Sequence, residues 1–220
     1  MTQQLLLDPG QSVASSPIRR DGDRYYTLLR RAMAPLLAIC PEVGGNLLGD
    51  PSCGSGAMAR FLSPRFQAVY LNDLDPAVEA DTHIDAVQAI RQIQHPVDWW
   101  ISNPPFFAAG DITKACLDTA QRGVAMFIRC TFLECCGPSH LCREGIPCDP
   151  RRCLRNGRTW LEKLPPTRLQ SVRRFSFTGN GKSDSAPTWW FVWLRGSDGT
   201  WQRGTIEVAG ADAGQLTLPG

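Results

Sequence analysis

The chain has 220 residues, of which 43% are hydrophobic and 20% charged, with a formal net charge of +2. That is enough apolar material for one domain with a substantial core, and too little chain for two. The small net charge excludes a globally basic nucleic-acid binder, so any such contact must rest on local arginine patches. No apolar run approaches the roughly 20 residues that span a bilayer. The N-terminus, MTQQLLLDPG, lacks the basic segment and the apolar length of a signal peptide. A soluble, cytoplasmic protein is expected.

Residues 1–24 read as an irregular arm, residues 25–196 as the folded domain and residues 197–220 as a tail with weak strand signals. Tyr25 to Cys40 spaces its apolar residues as a helix does, with Pro35 expected to kink or split it. Asn46 to Asp50 is a short strand that runs into DPSCGSG, and Ala57 to Leu62 opens a helix. Gln67 to Asn72 is a second strand, ending at Asp73. Thr82 to Asp85 is a candidate short third strand, and the link before it, DLDPAVEAD, is too short for a full crossover helix. A helix over Val87 to Gln94, a strand over Val97 to Ser102 ending on NPPF, and a helix over Asp111 to Arg122 follow.

Gly123 to Arg129 is an apolar strand, and a cysteine-rich stretch over residues 130–153 comes next. A short helix is expected around Trp160 to Glu162. Leu169 to Phe177 and Thr188 to Leu194 read as two strands around the loop GNGKSDSAP. This order predicts an α/β fold with a mostly parallel sheet and a C-terminal antiparallel hairpin. There is no internal repeat. Cys40, Cys53 and Cys116 are expected as small core residues, and an odd total of nine cysteines argues against a secreted disulfide framework.

DPSCGSG follows a strand and opens a helix. Such a turn brings backbone close to a ligand at the sheet's C-terminal edge, because glycine removes the Cβ that would intervene. Asp50 can accept hydrogen bonds from an amine-bearing ligand. The pattern is neither G-x-G-x-x-G nor a P-loop, and a tight strand–helix turn without a ligand is the plain alternative. An acid at the end of the next strand suits ribose hydroxyls. Asp73 holds that place, with Asp75 as its competitor. Asp85 ends the next short strand and could accept from an adenine amino group, with Asp81 as its competitor.

NPPF places Asn103, Pro104, Pro105 and Phe106 after an apolar strand. The prolines stop the strand and stiffen the step that follows. An exocyclic amine is a poor nucleophile while its lone pair is delocalised. Two acceptors, Asn103 Oδ1 and the Pro104 carbonyl, would engage both amine hydrogens and favour a tetrahedral nitrogen. Phe106 would stack on a flat substrate, while Phe107 is assigned to the core. Rate would come from aligning a methyl donor with the amine.

In this chain order the two motifs resemble those of class I S-adenosylmethionine-dependent amino-methyltransferases with a Rossmann-like fold. The nearest group is the DNA adenine-N6 methyltransferases in which the cofactor motif comes first. Tyr25-Tyr26-Thr27 resembles the Tyr-Tyr-Thr-Pro that opens the cofactor-side segment of many of them, with Leu28 in place of proline. RRFSFTGNGKSDSAPTWWFVW resembles small, often phage-borne members. The resemblance spans about residues 24–195 and implies S-adenosylmethionine as cofactor. Tyr26 and Thr27 would approach it. Asp50, Pro51, Cys53, Gly54 and Gly56 would line its methionine end, Asp73 (or Asp75) would hold the ribose, and Asp85 the adenine. Asn103, Pro104, Pro105 and Phe106 would hold the target amine, with Asn103 touching the cofactor as well. A duplex substrate would flip its base into the pocket. These residues leave no space for the large target-recognition domain of restriction-type enzymes, so sequence specificity is expected to be low or to come from short loops or a partner.

The cysteine-rich stretch departs from that family's pattern. Cys136, Cys142, Cys148 and Cys153, with His140 nearby, could form a tetrahedral zinc site despite spacings wider than C-x2-C. The alternative is a loop of reduced cysteines. Arg143, Arg151, Arg152 and Arg155 there, and Lys182 in the later loop, are candidate contacts to DNA. RNA adenine N6, RNA guanine N2 and protein glutamine are the rival substrates. A catalytically inactive binding module is the rival from another class.

Overall fold

A computed structural model describes residues 29–135, 160–172 and 187–204. In chain order the elements are α1 (Leu29–Ile39), β1 (Gly45–Asp50), α2 (Ala57–Leu62), β2 (Phe66–Leu71), α3 (Ala86–Gln92) and β3 (Val97–Ser102). They continue with α4 (Ala109–Thr119), β4 (Ala120–Arg129), α5 (Trp160–Lys163), β5 (Arg168–Ser171) and β6 (Thr188–Leu194). The six strands form one sheet in the order β2-β1-β3-β4-β6-β5. The first four are parallel, and β6 runs antiparallel to both β4 and β5. This is the predicted α/β sheet with its antiparallel C-terminal pair.

The central strands read as apolar runs because helices cover both faces of the sheet. Alternation along each strand divides their side chains. Trp100, Val124, Met126, Phe191 and Trp193 pack with Ile112, Cys116 and Leu161 on the face covered by α3, α4 and α5. Trp99, Ala125, Phe127, Trp190 and Val192 pack with Leu36, Met58 and Leu62 on the face of α1 and α2. Buried indoles bring an N–H that needs a partner. Trp100 donates to Thr119 Oγ1 at 2.9 Å, Trp193 to the Leu164 carbonyl at 3.1 Å, and Trp190 to the Ala32 carbonyl at 2.6 Å. The last of these bears on Pro35, which neither splits nor ends α1. Proline withholds the N–H due to the carbonyl four residues earlier, and the neighbouring Ala32 carbonyl gains an outside donor from β6. Arg168 of β5 ties the end of the same helix, donating to the Ile39 carbonyl and pairing with Glu42.

Two boundaries differ from the sequence expectation. The helix expected over Asp111–Arg122 ends at Thr119, and β4 starts at Ala120 with no loop between them. Helical spacing loses there to sheet pairing, since Ala120 aligns with Val97 and Gly123 with Trp99. The candidate strand over Thr82–Asp85 is reduced to a single parallel bridge between Asn72 and Thr82. The link that precedes it carries no helix, as its length implied. β5 is described only over Arg168–Ser171, and the expected continuation beyond residue 172 lies outside the described residues. Cys40, Cys53 and Cys116 are buried, as expected. Among the described residues no helix is long and apolar enough to cross a membrane.

Gly49 lets Trp100 cross the neighbouring strand, for a Cβ there would lie 2.3 Å from the indole ring. Gly49→Ala should therefore cost ~1–3 kcal/mol through overpacking, a fall of ~2–10 °C in thermal midpoint for a chain of this size. An unchanged midpoint in a calorimetric scan would show that Trp100 can yield.

Candidate active site

The site is organised around the end of β1, the strand between β2 and β3 at this end of the sheet. Asp50 is its last residue and is 2% exposed. Its Oδ1 accepts from Ser102 Oγ at 2.7 Å and from the Ser52 amide at 3.2 Å. Ser102 is fully buried and is the last residue of β3, directly before Asn103. One hydrogen bond thus joins DPSCGSG to NPPF across 52 residues of chain. Burial pushes the Asp50 carboxyl up to about 7; the bonds from Ser102 and Ser52 oppose that rise, and the nearby Asp73 charge adds to it.

The turn after β1 needs its glycines. Gly54 and Gly56 have φ of 53° and 68°, the left-handed region that side chains avoid. The Cys53 amide donates to the Asn72 carbonyl at 2.9 Å, and the Gly54 amide donates to Asp73 Oδ2 at 2.8 Å. The turn is therefore clamped to the end of β2. The Cys53 thiol is pushed up to about 12, by burial first and then by the Asp50 and Asp73 charges. It is a neutral packing group and not a nucleophile.

The acids separate by what they bond. Asp73 is 3% exposed and lies against the glycine turn, with its Oδ1 accepting from the Asp75 amide at 3.0 Å. Asp75 turns the chain instead, accepting from the Ala77 amide at 3.0 Å. Asp85 caps α3, its Oδ1 accepting from the Val87 and Gln88 amides at 2.9 and 3.1 Å. Its competitor Asp81 is exposed and accepts from the Leu71 amide on the sheet's edge strand at 2.7 Å.

In NPPF, Pro104 is buried, while Asn103, Pro105 and Phe106 are half-buried. The chain then makes a tight turn in which the Ala108 amide donates to the Pro105 carbonyl at 3.0 Å, and α4 begins at Ala109. The assignment of Phe107 to the core is overturned: it is 66% exposed. The turn ends strand alternation, so the next core positions come from α4, at Ala109 and Ile112. Phe106 lies beneath the Arg129 guanidinium, 4.3 Å from its ring centroid. A cation over a ring face is attracted by the ring's quadrupole.

Three residues escaped the sequence reading. Ser102 looked like an ordinary strand residue, and its partner is set by strand order. Asn72 looked like the end of a strand; it is fully buried, and its side chain bonds both the glycine turn at Pro51 and the Thr82–Ile84 segment. Arg129 looked like the polar end of β4, and only the parallel pairing of β3 with β4 brings it to Phe106. Tyr26, Thr27, the cysteines Cys136, Cys142, Cys148 and Cys153, the arginines Arg143, Arg151, Arg152 and Arg155, and Lys182 lie outside the described residues. Among the described residues no cluster of three or more His, Cys, Asp or Glu is placed to hold a metal.

No protein-family model and no curated protein matches the chain. Solved structures do. The O-methyltransferase TomG of Streptomyces achromogenes, in complex with S-adenosylmethionine, is 11% identical, with 80% of this chain and 83% of that one covered and a TM-score of 0.52. An O-methyltransferase of Bacillus cereus, in complex with S-adenosylhomocysteine, is also 11% identical, with 78% and 83% covered and a TM-score of 0.50. The chain has the Rossmann-like fold of class I S-adenosylmethionine-dependent methyltransferases.

The Asp50 titration makes stability depend on pH. Its carboxyl titrates at about 7 when folded against an ordinary 3.8. Between those values the folded chain holds a proton that the unfolded chain has released, so stability from this group falls as pH rises through the window. Asp50→Asn keeps an oxygen acceptor for Ser102 and Ser52 and removes the titration. Relative to wild type it should gain stability from pH 4.5 to pH 7.5, as followed by urea unfolding. A stability difference constant across that range would place the Asp50 titration elsewhere.

Proposed function

We propose that the protein transfers the methyl group of S-adenosylmethionine to an exocyclic amine, adenine N6 in DNA. The observation that carries this reading is the buried Asp50–Ser102 hydrogen bond, which sets the glycine turn and Asn103 side by side at the ends of adjacent strands. The residues suit the cofactor. A left-handed glycine turn lies between two buried carboxylates, and one of them, Asp73, already bonds the turn's backbone. When bound, the cofactor supplies an electrophilic methyl group on a sulfonium.

The chain's own residues would do the rest. Asp50 and the Gly54–Gly56 turn would hold the methionine end, Asp73 the ribose, and Asp85 the adenine. Asn103 Oδ1 and the Pro104 carbonyl would accept the two hydrogens of the target amine, raising its nucleophilicity without a general base. Phe106, with Arg129 over its ring, would stack on the flipped base. Contacts to DNA are assigned to Arg143, Arg151, Arg152 and Lys182, and a zinc site to Cys136, Cys142, Cys148 and Cys153. NPPF and the FTGNGKSDS loop favour an amine of DNA over the oxygen acceptors named for the structural neighbours.

Incubation with labelled cofactor and separate DNA, RNA and protein pools, followed by nucleoside and amino-acid mass spectrometry, tests the reading directly. N6-methyladenine in DNA is expected. Label in guanine N2 or in glutamine would move the substrate, and no label in any pool would remove the enzyme reading. Asn103→Ala should leave cofactor affinity intact and lower kcat by ~10²-fold or more, the order seen when one electrostatic contact to a reacting group is lost. A fully active variant would refute the catalytic assignment. Asp73→Ala should weaken cofactor binding by ~10–100-fold, from the loss of charged hydrogen bonds. Unchanged affinity by calorimetry would transfer the ribose role to Asp75.

A further inference from the structure

We propose that Asn72 is a positioning residue for the nucleoside half of the cofactor, its amide setting the distance between the glycine turn and the segment that carries Asp85. The inference rests on the cofactor site described above. An asparagine amide offers two donors and two acceptor positions, and Asn72 uses all four. Its Nδ2 donates to the Pro51 carbonyl at 2.9 Å and to the Ile84 carbonyl at 3.1 Å. Its Oδ1 accepts from Thr82 Oγ1 at 2.7 Å and from the Ile84 amide at 3.2 Å. The residue is fully buried, so each bond given up would leave a group without water to replace the partner.

The backbone of Asn72 adds two more ties to the same turn. Its amide donates to the Asp50 carbonyl, and its carbonyl accepts from the Cys53 amide. One residue therefore grips the glycine turn on one side and the Thr82–Ile84 segment on the other. That segment has no strand ladder of its own beyond a single bridge. That bridge consists of the Thr82 amide donating to the Leu71 carbonyl at 3.3 Å and the Asp73 amide donating to the Thr82 carbonyl at 3.2 Å; the Thr82 hydroxyl also meets Tyr70 Oη at 2.8 Å, and His83 Nδ1 lies 3.2 Å from the Asp73 carbonyl oxygen. Asp85 follows Ile84 directly, and Asp73 follows Asn72. The separation of the ribose acid from the adenine acid is thus transmitted through the amide of a residue that itself need not touch the ligand.

Asn72→Asp keeps the shape and replaces both N–H donors with an oxygen facing two carbonyls. Thr82→Val removes one donor to the amide at nearly constant volume, and Thr82→Ser restores it. Affinity for S-adenosylhomocysteine is measured by calorimetry, well below each variant's melting temperature. Steady-state kinetics use the methyl acceptor that the wild type labels. Asn72→Asp should raise both Kd and the cofactor KM about tenfold or more, with kcat at saturating cofactor held within about threefold. Thr82→Val should show a smaller shift in the same direction, and Thr82→Ser should return to the wild-type value. Lower melting temperatures with Kd and KM unchanged in both Asn72→Asp and Thr82→Val would make the amide a structural pin only and overturn the inference. A wild-type protein that does not bind S-adenosylhomocysteine would overturn the cofactor reading itself, and this inference with it.

Discussion

A carboxyl group enclosed at the end of β1 is the point on which the site depends. Water cannot solvate Asp50, so its environment must come from the protein. It comes from a serine on the neighbouring strand and an amide of its own turn. Meeting that requirement sets the relative height of β1 and β3 at their C-terminal ends. The glycine turn and the asparagine of NPPF inherit that height. Substitution of Ser102 would thus disturb two motifs at once although it belongs to neither.

The sheet that carries this contact is packed on both faces with buried tryptophans. Trp99 and Trp100 point to opposite faces, and each has a glycine on an adjacent strand to make room: Gly123 for Trp99 and Gly49 for Trp100. The TWWFVWL strand repeats the arrangement, with Trp190 and Trp193 on opposite faces and each indole N–H bonded to a carbonyl of a flanking segment. These bonds fix α1 and the segment after α5 against the sheet. The aromatic platform lies within the strands, and the edge that carries DPSCGSG and NPPF is left to turns.

Local signals in the chain accounted for the strand ends and the two motifs, because glycine, proline and acid placement act over a few residues. Asp50, Gly54, Gly56 and Asp73 stand where their residue types suggested, and the short link after β2 carries no helix. What escaped depends on chain that is distant in sequence. The Ser102 partner, the Arg129–Phe106 stack and the role of Asn72 all follow from strand order, which no local window contains. The errors have the same origin. From the sequence Phe107, beside Phe106, is assigned to the core, but it sits in the turn before α4 and is exposed. Helical spacing carried α4 to Arg122, but pairing with β3 claimed Ala120 onward for the sheet.

The absence of a loop between Thr119 and Ala120 has a mechanical result. From Phe106 the chain runs through α4, passes straight into β4, and ends at Arg129, whose guanidinium returns to the Phe106 ring. After the short turn at residues 106–108 the path is helix and strand in direct succession, so a shift of α4 carries β4 with it. On the opposite side, the segment from Asp73 to Ile84 has no helix or strand of its own and is fastened by one bridge, a few further backbone bonds and side-chain bonds. The two flanks of the site are thus built differently, one from a helix fused to a strand and the other from an irregular segment pinned in place.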